Sequence, residues 1–172
     1  ELPEVERARR FVDSIALQQR ITAVFLRSDP IVFDHTPTTR FRRALNDRTV
    51  RAVERRGKYF WLQLDRRPWL VLHFGMTGRL HHYHTSAERP DYLKLELTFA
   101  DGTRLAFTDP RRFGRIRLQN DPLHERPISR LGFDPLLDLP TRSWFRAALR
   151  RRRSPIKAVL LDQALAAGVG NW

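Results

Sequence analysis

The sequence predicts an α+β protein: a helix followed by a β-rich first part, then a helical second part. Three observations carry this. Leu93, Leu95, Leu97 and Phe99 alternate with Lys94, Glu96 and Thr98, which is the period of a half-buried strand. Short apolar runs of the same kind recur between turn residues, a pattern of sandwiches and barrels. After Pro135 the texture changes to helical spacing, with Trp144, Phe145 and Ala148 followed by Ile156 to Leu161, so a boundary is expected within Leu131–Pro140.

Each element has a local reason. Pro3 suits the first turn of a helix, where Glu4 and Glu6 complement the dipole, and Val5, Ala8, Val12 and Ile15 follow on one apolar face. Ile21 to Leu26 is a β-branched and aromatic run and reads as a strand. Phe41 to Leu45 fits a short helix after the Thr-rich stretch 36–39. Tyr59 to Leu64 and Trp69 to Phe74 read as strands joined by the charged turn Asp65-Arg66-Arg67-Pro68. His81-His82-Tyr83-His84 reads as a polar strand; His82 and His84 share a face, but no carboxylate or further histidine pairs with them to make a metal site. Asp101-Gly102 turns the alternating strand back into Thr103–Phe107. A helix is expected over Ile156–Ala167, with Gly168 and Gly170 leading to a further helix start at Asn171.

Composition bounds the function. The 172 residues hold one good core, or one core plus a small appendage. No apolar run reaches the length of a membrane span, and no leader pattern is present, so the expected compartment is the cytoplasm. With no cysteine, the chain has neither disulfides nor thiolate metal sites. The net charge of +13 suits a polyanionic partner. Lys58, Lys94 and Lys157 are the only lysines among 32 basic residues; unlike arginine, a lysine offers a point charge or a deprotonatable amine, but three cases are too few to carry an assignment.

The segment Thr108-Asp109-Pro110-Arg111-Arg112-Phe113-Gly114 is the most informative. Pro110 fixes φ and Gly114 permits unusual dihedrals, so the stretch reads as a shaped turn. Its arginines and Phe113 fit either a solvated turn anchored by a buried ring, or a guanidinium and an aromatic wedge offered to nucleic acid. Met76 stands between two glycines in His73-Phe74-Gly75-Met76-Thr77-Gly78; it is either a core filler or a side chain presented at a turn.

These segments, with Leu2-Pro3-Glu4-Val5-Glu6, Arg55-Arg56-Gly57-Lys58-Tyr59, Leu131-Gly132-Phe133-Asp134-Pro135-Leu136, Ile156-Lys157 and Gly168-Val169-Gly170-Asn171, resemble in order the motifs of the formamidopyrimidine-DNA glycosylase family. The resemblance implies an antiparallel β-sandwich flanked by helices over residues 1–135 and an incomplete helix–two-turn–helix module over 136–172. It implies removal of oxidised purines from damaged duplex DNA, with lyase cleavage at the abasic site, by a monomer. In that family an N-terminal proline is the nucleophile and the next residue a catalytic glutamate, which places Glu1 in the acid/base role and Lys58 as proton donor in β-elimination. Met76, Arg111 and Phe113 become the plug that fills the void left by the extruded base. Tyr92, where the family often has a DNA-contacting histidine, joins Arg153, Lys157 and Asn171 as DNA contacts. No cofactor is expected in this chain, although full-length members carry a four-cysteine zinc finger. The chain starts one residue after the family's proline and stops within the helical module, so the expectation is a fragment with negligible glycosylase activity by itself. Two other readings remain: a non-catalytic nucleic-acid-binding protein that keeps the basic groove, and an Arg-rich RNA-binding protein, which leaves the turn motif unexplained.

Overall fold

The computed structural model describes residues 1–171. In chain order the elements are α1 (Leu2–Ala16), β1 (Ile21–Leu26), α2 (Thr38–Leu45), β2 (Val50–Arg56), β3 (Tyr59–Leu64), β4 (Trp69–His73), β5 (Arg79–Tyr83), β6 (Leu93–Phe99), β7 (Arg104–Thr108), β8 (Arg115–Gln119), α3 (Arg142–Arg150) and α4 (Ile156–Leu161). The strands form two antiparallel four-stranded sheets, ordered β1-β6-β7-β5 and β2-β3-β4-β8. This resolves the choice between sandwich and barrel in favour of a sandwich.

The core lies between the sheets. Phe60, Leu62, Leu70, Leu72 and Ile116 come from one, Ile21, Leu95, Leu97, Phe99, Leu105 and Phe107 from the other, and Phe33, Phe41 and Leu45 close one side. Alternation explains the burial on β6 for Leu95, Leu97 and Phe99, which turn to the core, whereas a bulge between Leu93 and Leu95 leaves Leu93 packed with Tyr83 and Ala106 in a separate cluster. Helix α1 lies on β2 and β3, burying Leu2, Val5, Val12 and Ala16. Trp61 and Val71, on the opposite face of their sheet, are covered by Ile128 and Leu131.

Strand register places the site. Tyr59 pairs with His73, and His73 pairs with Arg115. The turn carrying Lys58, the loop carrying Met76 and the turn carrying Phe113 therefore leave the sheet at the same end. In the other sheet Thr108 pairs with both Arg79 and Leu93, so the start of the Asp109 turn joins that end.

Two expectations need correction. The helix expected over Ile156–Ala167 stops at Leu161. Asp162 ends it by accepting the Ala164 N–H at 3.0 Å, and Ala166 then bridges to Phe133 in parallel while Gly132 N donates to the Gln163 carbonyl at 2.9 Å. Burial of Leu165, Ala166 and Ala167, with Phe133 donating to the Leu165 carbonyl and accepting from Ala167, outweighs the good helix propensity of this run. The left-handed residue of the 108–114 turn is Arg112, with φ near 60°, and not Gly114. Gly114 is needed for space instead: a Cβ there would sit 2.8 Å from the Phe107 ring and 3.0 Å from the Asp109 carboxylate. Among the described residues no helix is long and apolar enough to cross a membrane.

Candidate active site

Glu1 caps the start of α1, and its carboxylate meets the Lys58 ammonium. The same carboxylate accepts the Asn171 backbone N–H at 3.3 Å. The hydrogen bond from Lys58 holds the Glu1 carboxyl below its ordinary value against the opposing effect of partial burial. Glu1 is therefore a carboxylate at neutral pH, suited to accept a proton or to face a cation. A Cβ on Gly170 would collide with this carboxylate, so the 168–171 segment closes on Glu1 as tightly as backbone permits. Gly170→Ala is accordingly expected to displace Glu1 from Lys58, read as a rise in the Glu1 pKa toward its ordinary value by NMR titration.

Beneath this pair is a buried ionic support. Arg55 donates to both Asp134 oxygens, at 2.5 and 3.2 Å, to Glu6 at 3.0 Å and to the Gly57 carbonyl at 3.0 Å. Asp134 also accepts the Gly57 N–H at 2.8 Å. One guanidinium thus joins α1, the turn before Lys58 and the 131–138 segment. Burial works against both charges, but the hydrogen bonds prevail: the Asp134 carboxyl is held below its ordinary value, and Glu6 down to about 2.

A cleft of about 600 Å³ opens between Glu1, Glu4 and Phe11 on one side and Lys58, His73 and Met76 on the other. His73 accepts the Gly75 N–H on Nδ1 at 3.1 Å, leaving Nε2 as the protonated donor nitrogen of a neutral ring. Burial, with Arg117, Lys58 and Arg115 nearby, pushes its pKa down to about 4, so it is neutral at pH 7.

Met76 is 74% exposed and Phe113 45% exposed, which decides both against a core-filling role. The Arg111 guanidinium lies 4.8 Å from the Phe113 ring centre. The two loops are built as one unit. Gly75, with φ near 63°, packs so closely that a Cβ would lie 2.5 Å from the Phe113 backbone. Asp109 is fully buried and accepts from Thr77 Oγ1 at 2.6 Å, Gly114 N at 2.6 Å and Arg111 N at 3.3 Å. Asp109→Ala leaves three donors unmet, at about 1–3 kcal/mol for each that water does not reach. It is expected to destabilise more than Thr77→Val, which unties only one loop; urea unfolding of the two variants checks the order.

The structure thus gathers Glu1, Lys58 and Met76 around the cleft, with Arg111 and Phe113 on the adjoining turn. Tyr92 lies apart from the cleft lining; it is 61% exposed with φ near 56°, and its carbonyl accepts the Asp109 N–H at 3.1 Å. Arg153 and Lys157 are exposed at the α3–α4 junction and do not line the cleft, while Asn171 reaches Glu1 through its backbone. Sequence reasoning assigned no role to Asp109, Thr77, Arg55, Asp134 or His73. Asp109 stands inside the most informative motif and Arg55 beside Lys58; the missing signal was their long-range partner. His82, considered for metal binding, packs edge-on against Phe11 and His84, with ring centres 5.9 and 5.5 Å away.

Fold and site together define a class: an α+β protein on a two-sheet sandwich, with a carboxylate–lysine pair at the first turn of its N-terminal helix and two exposed apolar loops beside it. The model of the formamidopyrimidine-DNA glycosylase N-terminal domain matches residues 1–116. The chain is 36% identical over 185 residues to a formamidopyrimidine-DNA glycosylase of Arabidopsis thaliana, covering 100% of the chain and 47% of the relative. It is 40% identical over 175 residues to that of Salinispora tropica, covering 99% and 61%. Among solved structures it is similar to the Lactococcus lactis enzyme bound to DNA containing an abasic site, with a TM-score of 0.87, 30% identity and coverage of 99% and 65%. A Lactococcus lactis complex with DNA containing a formamidopyrimidine gives 0.88, 29%, 99% and 64%. The chain belongs to the formamidopyrimidine-DNA glycosylase family, and it spans about half to two thirds of the length of these relatives.

Proposed function

We propose that this protein carries out base-excision repair: it extrudes an oxidised purine from duplex DNA, removes it, and cleaves the strand at the abasic sugar. The observation that supports this most is the placement of the Glu1–Lys58 pair directly beside two exposed, mutually braced apolar loops. The pair supplies a proton acceptor and a cation. The loops supply Met76, Arg111 and Phe113 to occupy the stack that the base has left, a void that otherwise costs a few kcal/mol.

The chemistry needs an amine at the sugar C1′. On this reading it belongs to a residue immediately ahead of Glu1, a proline in the family. Its lone pair attacks C1′, the base departs with the bonding electrons and a proton, and a Schiff base forms with the opened sugar. Loss of a C2′ proton then expels the 3′ phosphate. Glu1 accepts protons and faces the cationic Schiff base, while Lys58 protonates or neutralises leaving oxygen. Tyr92, Arg153, Lys157 and Asn171 hold phosphates on this reading, which positions the duplex without reading its sequence. The relatives' complexes with an abasic site and with a formamidopyrimidine support the substrate class.

Met76→Ala and Phe113→Ala are expected each to weaken binding to a duplex containing an abasic-site analogue by about tenfold, as for loss of a stacking side chain. Folding stability is expected to move by less than about 0.5 kcal/mol, as for other exposed positions. Fluorescence anisotropy and thermal melting measure the two effects. A large loss of stability with unchanged binding contradicts the reading.

A further inference from the structure

Besides Asp109, a second carboxylate fastens the 109–114 turn to the body of the protein. Asp29 follows β1 and is 6% exposed. Its Oδ1 accepts the Ile31 and Val32 N–H groups at 3.1 and 3.3 Å, and its backbone carbonyl accepts the Phe33 N–H at 3.0 Å. Val32 and Phe33 are buried in the core, and the Val32 carbonyl accepts the Ile116 N–H at 2.8 Å, which ties this segment to β8. Onto the Asp29 carboxylate Arg112 donates from Nε to both oxygens, at 3.2 and 3.0 Å, and from Nη2 to Oδ1 at 3.1 Å. Lys94, to which the repair reading gives no role, donates to Oδ2 at 2.8 Å. Burial works against the charge of Asp29, but the hydrogen bonds from Lys94, Arg112 and Val32 prevail and hold its carboxyl down to about 2.

We propose that Asp29 is a positioning residue for the wedge: through Arg112 it sets the apex of the 109–114 turn, so that Arg111 and Phe113 are presented to the vacated stack. The inference rests on the repair reading above and adds the group that aims the wedge. Arg112 stands between the two wedge residues with φ near 60°, a conformation uncommon outside glycine that persists only where the surroundings over-determine it. The forked, charge-assisted contact with a buried carboxylate does this. It draws the Arg112 side chain onto Asp29 while the Arg111 guanidinium stays with the Phe113 ring, 4.8 Å from its centre. Asp109 secures the flanks of the turn through Arg111 N and Gly114 N, and Asp29 secures the residue between them. The Arg112 side chain is 46% exposed, so phosphate is the competing partner for it. The two roles serve different ends. A phosphate contact strengthens binding to any duplex, whereas an aimed wedge strengthens binding only where a base is missing.

The test is a pair of double-mutant cycles in the full chain, D29N with F113A and R112Q with F113A. Dissociation constants are measured for a duplex holding an abasic-site analogue and for the same duplex intact; their ratio is the discrimination. D29N keeps an acceptor for Ile31 and Val32 but gives up the charge that grips Arg112. D29N and R112Q are each expected to lower discrimination by about threefold to tenfold, and neither lowers it further once Phe113 is gone. Urea unfolding is measured alongside; a merely structural contact lowers stability without this dependence on Phe113. Where D29N fails to fold, R112Q, which leaves Asp29 paired with Lys94, carries the same cycle. Discrimination left unchanged by R112Q, with both affinities lowered alike, assigns Arg112 to phosphate and overturns the proposal. Discrimination lowered equally with and without Phe113 overturns it as well. In both cases F113A still lowers the discrimination of the parent, and the repair reading stands. If F113A leaves that discrimination unchanged, the wedge itself fails and the role of Asp29 with it.

Discussion

Asp134→Ala is expected to cost about 3–5 kcal/mol of folding stability, the usual consequence of leaving one member of a buried ion pair without its partner. Arg55 is almost wholly buried, and after this change it keeps only Glu6 and the Gly57 carbonyl. Gly57 N–H loses its acceptor as well, so the turn that presents Lys58 is loosened. The pairing of Arg55→Met with Asp134→Ala is expected to cost less than the sum of the two single changes, because the uncompensated charge is gone. Urea unfolding of the four proteins measures the coupling; a single-variant cost below about 1 kcal/mol contradicts the role given to this pair. The pH dependence has a definite sign. Glu6 and Asp134 have depressed pKa values, so their contribution is present above the ordinary carboxylate range. It is expected to be lost as pH falls through that range toward the folded value, about 2 for Glu6.

Lys58→Ala carries the largest expected effect on chemistry. It removes the cation that contacts Glu1 and the nearest side-chain proton donor to that carboxylate. Strand cleavage at a preformed abasic site is expected to fall by about 10²–10⁴, the usual worth of a positioned proton-transfer group. Glu1, freed of the ammonium that depresses its pKa, is expected to titrate closer to its ordinary value. Binding to the abasic duplex is expected to fall far less, since one charge among many is lost. The experiment is single-turnover cleavage in a protein where proline precedes Glu1, with binding measured in parallel. Cleavage within threefold of the parent contradicts the assignment.

The sandwich was legible where burial follows period two. Leu95, Leu97 and Phe99 face the core alternately, and β6 occupies the expected residues, although a bulge turns Leu93 to a separate cluster. The strands β2 and β8 were not legible. In Val50–Arg56 and Arg115–Gln119 arginine or glutamate takes most outward positions, and only Val50, Val53, Ile116 and Leu118 hint at the core face. Such strands are recognised through their partners β3 and β4, a long-range property. The run 156–167 misled for the opposite reason: Ala164 to Ala167 are good helix formers, yet burial and pairing with Phe133 determine their conformation.

The site divides in the same way. Glu1, Lys58, Met76, Arg111 and Phe113 were identifiable because they sit in contiguous motifs, and the exposure of Met76 and Phe113 decides between the readings each admitted. Asp109 and Thr77 are 32 residues apart in the chain and joined only in space, so no local pattern announces that the two loops are tied. Arg55 and Asp134 are separated by 79. A positioning residue whose partner is distant shows no local signature; a presented side chain flanked by glycines does.

Amine-mediated base excision in this cleft, as proposed above, has a covalent signature. Borohydride trapping on a duplex holding 8-oxoguanine, with proline placed ahead of Glu1, tests it most directly. A covalent protein–DNA adduct is expected that disappears when proline is replaced by an N-terminally blocked residue and is strongly reduced in the Lys58→Ala protein. Tight, salt-sensitive binding to damaged DNA with no adduct, on 8-oxoguanine and on preformed abasic sites alike, would contradict it and leave a binding protein without the chemistry.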